Sequence, residues 1–279
     1  MIGVGADRLL RRIIQVKEDA QGKTLWWVAE GEDGGALQEL LANIADLFDA
    51  GEVIYDDRNR VVHLRAGQFP GLSSDVIIKR FILRRKYDRL RFRFLNSKAV
   101  RSLHMALVLG QAGINTPKPL ALLERRTRSN GIVYSYFATE YIPNEGSLLD
   151  ILEGDNLPLE DRLPEFLPPI AWSVRRMHDS GIIHNDLHGG NILIAGSEDA
   201  RKFYFIDLNR ARIKRQMSMS MRIKDLARLA FTPAQMELFL RAYTPDSYRD
   251  WMDSMLQMRR KREQFMERKQ KLKKILRWQ

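Results

Sequence analysis

The alternation of apolar and polar residues changes period several times along the chain. Over residues 36–51 the apolar positions Leu37, Leu40, Leu41, Ile44, Leu47 and Phe48 recur at helical spacing, and Gly51 supplies a stop. The stretches EVIYDD, RVVHLRA and SDVIIKRFIL then read as strands, being rich in β-branched residues and separated by Asp/Asn and Gly/Pro punctuation. Helical spacing returns over residues 97–111, where Val100, Leu103, Leu107 and Val108 share a face. TPKPLALLERR predicts a turn and a strand, and NGIVYSYFATEYI a further strand entered through an Asn130-Gly131 turn. Residues 1–35 fit no single pattern: residues 8–16 suit a short helix or a strand, and GEDGG a loop.

The second half is different. SLLDILEG and DRLPEFLPPIAWSVRRMHDSG predict helices, with Pro168-Pro169 expected at a helix start or kink. A short strand pair follows, and from about Ile223 the pattern is helical to the end. The expected class is α+β: a strand-rich N-terminal lobe, then a helical C-terminal lobe. The expected divisions are an extension at 1–50, an N-lobe at 51–143, a C-lobe at 144–250 and a terminal helix at 251–279, with the lobe boundary near 143–146.

Three pieces of chemistry lie in order on this frame. Lys79 sits in the strand Val-Ile-Ile-Lys, Asp186 and Asn191 sit in an H-x-D-x-x-x-x-N loop, and Asp207 ends the strand of FYFID. The stretch HNDLHGGNILI could be a surface turn or a site. Phosphoryl transfer asks for these residue types: a carboxylate for the attacking hydroxyl, Asn and Asp oxygens for Mg²⁺, and a Lys for phosphate oxygens. A helix ending in MHDSG before the loop and a strand ending in Asp after it supply the context that favours a site.

These residues resemble a known superfamily. HNDLHGGNILI with FIDL looks like the catalytic and metal-binding loops of protein-kinase-like enzymes, and IDLNRAR, VIIKRF and AGINTPKPLAL resemble the bacterial lipopolysaccharide kinases, the Kdo/WaaP group with its InaA-like members. The resemblance implies a two-lobed protein-kinase-like fold and ATP-dependent phosphorylation of a Kdo or heptose hydroxyl in the lipopolysaccharide core. It implies that Asp186 is the catalytic base or hydroxyl-orienting group, that Asn191 and Asp207 are Mg²⁺ ligands, and that Lys79 meets the ATP phosphates. It further implies a hinge at Glu140-Tyr141-Ile142 whose backbone meets adenine, and an anchoring role for Asp225 beneath the loop. The sequence departs from the pattern in three places. Residues 89–123 contain no acid, so the usual Glu partner of the strand Lys is missing, with Ser102 at the aligned position. AGQFPGLSSD, with Gly67 and Gly71, is not a G-x-G-x-x-G loop, and the metal loop reads Asp-Leu-Asn. Lys79 is therefore expected to pair elsewhere, Asp207 being one candidate. A kinase of another acceptor and a nucleotide-binding pseudokinase serving as an interaction module both stay open.

Charge adds the partners. The chain carries 46 Lys and Arg against 35 Asp and Glu, a net +11, which favours polyanions. It has no cysteine, which excludes disulfides and thiolate sites and suits a reducing compartment. It has no membrane-spanning run, and its first residues lack the order of a secretory signal. Residues 80–94 interleave seven Arg or Lys with Phe81, Tyr87, Phe92 and Phe94, a pattern suited to nucleic acid, to an anionic membrane, to a phosphorylated glycolipid acceptor, or to a solvated face. Residues 251–279 predict a basic amphipathic helix, either packed on the C-lobe or lying on a membrane. The expected setting is cytoplasmic and peripheral at the inner membrane, with a phosphorylated glycan acceptor and no specific nucleic acid. Of the histidines, His184 reads as scaffolding and His188 as either a turn residue or a substrate contact. His63, His104 and His178 lack metal-ligand spacing.

Overall fold

The computed structural model describes residues 13–31, 34–57, 59–68, 72–155 and 157–277. The chain forms two compact units, residues 1–144 with 195–211, and residues 145–194 with 212–279. The stretch that carries Asp207 therefore belongs with the strand-rich unit, although it follows the loop of Asp186 in sequence.

In the first unit a seven-stranded sheet has the order β1-β2-β6-β7-β5-β4-β3, antiparallel throughout. Its strands are β1 (Gln15–Asp19), β2 (Gly22–Val28), β3 (Glu52–Asp56), β4 (Asn59–Leu64), β5 (Val76–Phe81), β6 (Pro119–Thr127) and β7 (Ile132–Glu140). Helices α1 (Gly34–Ala42) and α2 (Ile44–Ala50) lay Leu37, Leu40, Ile44 and Phe48 against Val62, Ile78, Ala121 and Ala138 of the sheet. Phe48 meets Tyr136 edge-on at 5.3 Å between ring centroids.

Two expectations are modified here. Residues 13–50, set apart as an extension, contribute two strands and two helices to this same sheet and core, because β2 pairs with β6 along its whole length. The expected single helix over 36–51 is broken at Asn43, which adopts φ −106°, ψ 13° and turns its amide back to the Glu39 carbonyl. The segments 1–12, 32–33 and 69–71, holding part of the ambiguous N-terminus, part of the GEDGG loop and Gly71 of the atypical nucleotide loop, lie outside the described residues.

The short α3 (Lys86–Arg91) leads to α4 (Lys98–Gln111), whose first turn is capped by Ser97 accepting from the Val100 amide. α4 packs on β6, on β7 and on the turn at 208–210.

The second unit is mainly helical. β8 (Asn144–Ser147) leads to α5 (Leu148–Leu152), held by a Ser147/Asp150 capping box, and then to the one-turn α6 (Leu157–Glu160). The long α7 (Leu163–Asp179) has Pro164 in its first turn, and Pro168 and Pro169 lie inside it rather than at its start. β9 (Ile182–Ile183) and β10 (Ile192–Ala195) flank the polar loop, and β12 (Arg212–Ile213) pairs with β9; the intervening β11 (Lys202–Phe205) belongs to the first unit. α8 (Met219–Leu226), α9 (Pro233–Tyr243) and α10 (Tyr248–Arg277) complete the unit. The early part of α10 is packed rather than free: Met255 is buried and Trp251 meets Tyr243 at 5.4 Å.

Candidate active site

Lys79, Asp207 and residues 140–142 belong to the first unit, Asp186 and Asn191 to the second. In the first unit, alternation along β5 puts Ile78 in the core under α1 and α2 and turns Lys79 to the other face. There the Lys79 ammonium lies 2.7 Å from Asp207 Oδ1. Asp207 stands in the left-handed region, at φ 56°, at the head of the 208–210 turn. Asn209 holds it from the other side, its side-chain amide donating to the same Oδ1 at 2.5 Å. The Asn of the Asp-Leu-Asn variation thus has a structural use. It fixes the Asp207 carboxylate with a bond that glycine could not make.

The acid-free helix resolves in the same place. Ser102 is buried and its hydroxyl donates to the Lys98 carbonyl one turn back, so it is spent within α4. Lys98, at the start of α4, was not singled out by sequence. Burial pushes its ammonium pKa down; the field of Asp88 opposes this, Lys79 adds to it, and Asp207 opposes it. Lys98 thus adds a second cation to the electrostatic surroundings of Lys79 and Asp207.

The hinge candidates are tied into the sheet. The Glu140 amide donates to the Lys118 carbonyl, and its carboxylate accepts from the Lys118 amide at 3.0 Å. The buried Ile142 offers its carbonyl to the Asn144 side chain at 2.7 Å. Between them, Tyr141 stacks on His63 at 4.3 Å, and its amide donates to the Asp75 carbonyl. Asp75 also accepts from the Ala66 amide and meets His63 Nε2 at 2.8 Å. The Ala66 bond is the main reason its pKa is lowered, His63 adding to it. His63 and Asp75 thus brace the hinge, a role with no local sequence signal.

A deeper pair lies on β6. Glu124 is fully buried and bonds Arg126 Nε at 2.6 Å and the Ser135 hydroxyl at 2.8 Å, while Arg126 donates to the Phe92 carbonyl at 2.9 Å.

In the second unit the polar loop hangs from Asp225. This buried carboxylate accepts from the His184 amide and the Asn185 amide, each at 2.8 Å. Asn185 has φ 63°, so the loop turns through a left-handed residue directly beneath Asp186. His178 Nε2 stands 3.4 Å from the same carboxylate, and its Nδ1 meets the Tyr243 hydroxyl at 2.7 Å. Desolvation raises the Tyr243 phenol to about 12, against the opposing effect of Arg222. His184 is buried, while His188 is half-buried with its carbonyl closing the 189–191 turn on the Asn191 amide.

Asn191 donates its side-chain amide to the Asp186 carbonyl at 2.9 Å, which leaves its side-chain oxygen as the group able to serve a cation. Asp186 Oδ1 accepts from Arg228 Nη1 at 3.2 Å, with both side chains about one-fifth exposed. Arg228 was not expected from sequence. Gly189 and Gly190 lie between His188 and Asn191 in this loop. Neither has positive φ; a Cβ on Gly189 would stand 2.8 Å from the Leu149 amide nitrogen, so this position needs glycine for the close approach of α5.

The Asp207 carboxylate of the first unit and the Asn191 side-chain oxygen of the second are each a hard donor of the kind Mg²⁺ takes. Among the described residues no cluster of three or more His, Cys, Asp or Glu suggests another metal site.

A seven-stranded antiparallel unit bearing a strand lysine and a helical unit bearing an H-x-D-x-x-x-x-N loop define a protein-kinase-like fold. The chain superposes on a solved structure of WaaP in complex with acyl carrier protein with a TM-score of 0.55, covering 86% of this chain and 98% of that one at 20% identity. The sequence profile of the lipopolysaccharide kinase (Kdo/WaaP) family matches residues 75–253, and the chain belongs to that family. It is 29% identical over 128 residues to a 3-deoxy-D-manno-octulosonic acid kinase of Haemophilus influenzae, covering 45% of this chain and 51% of that protein. It is 33% identical over 107 residues to the protein of that name from Vibrio cholerae, covering 38% and 41%. A third, from Actinobacillus succinogenes, is 28% identical over 173 residues, covering 56% and 68%. The chain thus spans about half the length of the Haemophilus relative it matches.

Proposed function

We propose that the protein is an ATP-dependent kinase that phosphorylates a sugar hydroxyl, of Kdo or heptose, in the lipopolysaccharide inner core. The observation that carries this reading is the Lys79–Asp207 contact at 2.7 Å, which joins two residues far apart in sequence that phosphoryl transfer needs together. The Asp186 carboxylate orients the acceptor hydroxyl and takes its proton as the new oxygen–phosphorus bond forms. The bond to the leaving ADP oxygen breaks. Asn191 and Asp207 are the residues that would hold Mg²⁺, which would supply charge neutralisation at the phosphates. The Lys79 ammonium meets phosphate oxygens of ATP. Adenine is read by backbone groups of residues 140–142, of which the Glu140 and Tyr141 amides and the Ile142 carbonyl are already committed elsewhere. Arg228 holds Asp186 in its acceptor-facing position.

The name of the relatives favours Kdo, and heptose is the second acceptor to test. The net charge of +11 supports a cytoplasmic enzyme held peripherally at the anionic inner membrane, where its glycolipid acceptor is made. The test is transfer of phosphate from ATP to purified core oligosaccharide, read by mass spectrometry. Asp186→Ala is expected to abolish transfer and leave ATP binding in place; full transfer by that variant would refute the mechanism. Nucleotide binding by the wild type with no transfer to any core sugar would favour a pseudokinase, for which the acid-free α4 is the supporting observation.

A further inference from the structure

Between β5 and α4 the chain presents a surface that phosphoryl transfer does not use. Its underside is fixed: Phe92 is buried, Arg126 donates to the Phe92 carbonyl, Asn130 to the Arg93 carbonyl, and Arg89 to the Leu83 carbonyl. Its outer side is apolar and bare. Tyr87 is 70% exposed, Leu90 56% and Phe94 82%, with Leu95 also exposed beside them. Arg85, Lys86, Arg91 and Arg93 are interleaved with these residues along the chain, all exposed, and Asp88 is the one acid within residues 80–94. A cavity of about 340 Å³ opens beside Phe94 and Leu95, walled by Val16, Leu25 and Val100.

Two properties of this patch select its occupant. A mobile loop would lose ordering entropy on docking, whereas here the backbone is held by hydrogen bonds, so the exposed side chains are presented in place. Aliphatic Leu90 and Leu95 have no stacking face for a nucleobase. Together with Tyr87 and Phe94 they put exposed apolar groups on a segment that also carries exposed cations. That arrangement places apolar groups at the acyl boundary while the guanidinium and ammonium groups meet lipid phosphates.

We infer that residues 84–95 form a membrane-docking element that seats the first unit on an anionic bilayer, with Tyr87, Leu90 and Phe94 inserted below the headgroups. The inference rests on the peripheral setting proposed above and names the surface responsible. It assigns this role to the β5–α4 connection rather than to α10, whose first turns are packed within the second unit through Trp251 and Met255.

The test is co-sedimentation of the full chain with vesicles of phosphatidylethanolamine and phosphatidylglycerol, and with phosphatidylcholine vesicles as the neutral control. Wild type is expected to bind the anionic vesicles and to be released from the neutral ones. The triple variant Tyr87→Ser, Leu90→Ser, Phe94→Ser is expected to bind anionic vesicles at least about tenfold more weakly at an unchanged melting temperature, because the three side chains are exposed. Arg85→Gln with Lys86→Gln and Arg93→Gln should weaken binding most at low salt. Phe265→Ser, at an exposed position of α10, should bind as wild type. A wild type that ignores anionic vesicles would overturn the peripheral setting itself. A triple variant that binds like wild type, or a Phe265→Ser variant that loses binding, would leave the setting standing and overturn the assignment to residues 84–95. Loss of oligonucleotide or polyglutamate retention in the triple variant, with vesicle binding intact, would assign the patch to a soluble polyanion instead.

Discussion

Asp225→Asn removes one oxygen from the buried point on which the polar loop hangs. In the native protein Oδ1 accepts from the Asn185 amide and Oδ2 from the His184 amide, each at 2.8 Å. An asparagine has a single acceptor oxygen, so its NH₂ must face one of these backbone donors. One charge-assisted bond is lost and two donors oppose each other, which costs about 2 kcal/mol. For a unit of 118 residues that lowers the melting temperature by roughly 6–12 °C. The larger effect falls on turnover. Asn185, at φ 63°, holds the turn directly before Asp186, and its amide is one of the two that Asp225 binds. Displacing a positioned carboxylate by about 1 Å costs on the order of 100-fold in rate. Lys79, Asp207 and residues 140–142 belong to the other unit, so nucleotide affinity should fall far less than kcat. The assay pairs ADP release at saturating core oligosaccharide with calorimetric titration of nucleotide. A variant with lowered melting temperature and kcat within about twofold of wild type would refute the link between the Asp225 anchor and Asp186.

Three further outcomes are expected. Arg228→Gln frees the Asp186 carboxylate from its guanidinium at 3.2 Å; since the pair is partly exposed, stability should change by less than about 1 kcal/mol while kcat falls about tenfold, measured by denaturation and initial rates. Glu124→Gln leaves the Arg126 charge buried beside a neutral partner and should destabilise the first unit by about 3–5 kcal/mol in urea unfolding; a loss under 1 kcal/mol would mean the pair is dispensable. Tyr243 has a folded pKa raised to about 12, so the folded state keeps a proton that the unfolded chain releases near 10. Stability should therefore be level below pH 10 and fall by about 3 kcal/mol as pH rises through 12, and Tyr243→Phe should flatten that limb in melts against pH.

Much of the local structure was legible in the chain. The period of 97–111 specified α4, and Val-Ile-Ile-Lys specified β5 with Lys79 in it; the Ser97 cap and the face that Lys79 takes came from the structure. The spacing from Asp186 to Asn191 marked the loop, because a motif of that length is read within one turn of chain. Other features had no such signature. Asn43 lay inside an unbroken apolar stripe, yet its side chain bonds the Glu39 carbonyl and α1 ends there. The tryptophans of β2 belong to a segment with no clear period, and it became a strand because β6 offers it a partner.

Residue types and short spacings determined which chemistry this chain can carry: carboxylates, an amide and a lysine suited to phosphates and a divalent cation. Only tertiary structure decided which of those groups meet. Lys79 and Asp207 stand 128 residues apart in the chain and 2.7 Å apart in space, and the acid absent from α4 is replaced by that contact. Arg228 reaches Asp186, and Asp225 reaches the amides of 184 and 185, across some forty residues each. Periodicity reports only neighbours within a turn or a strand. Long-range partners depend on how sheet and helices pack, and a buried polar group settles on whichever donor or acceptor that packing brings within reach.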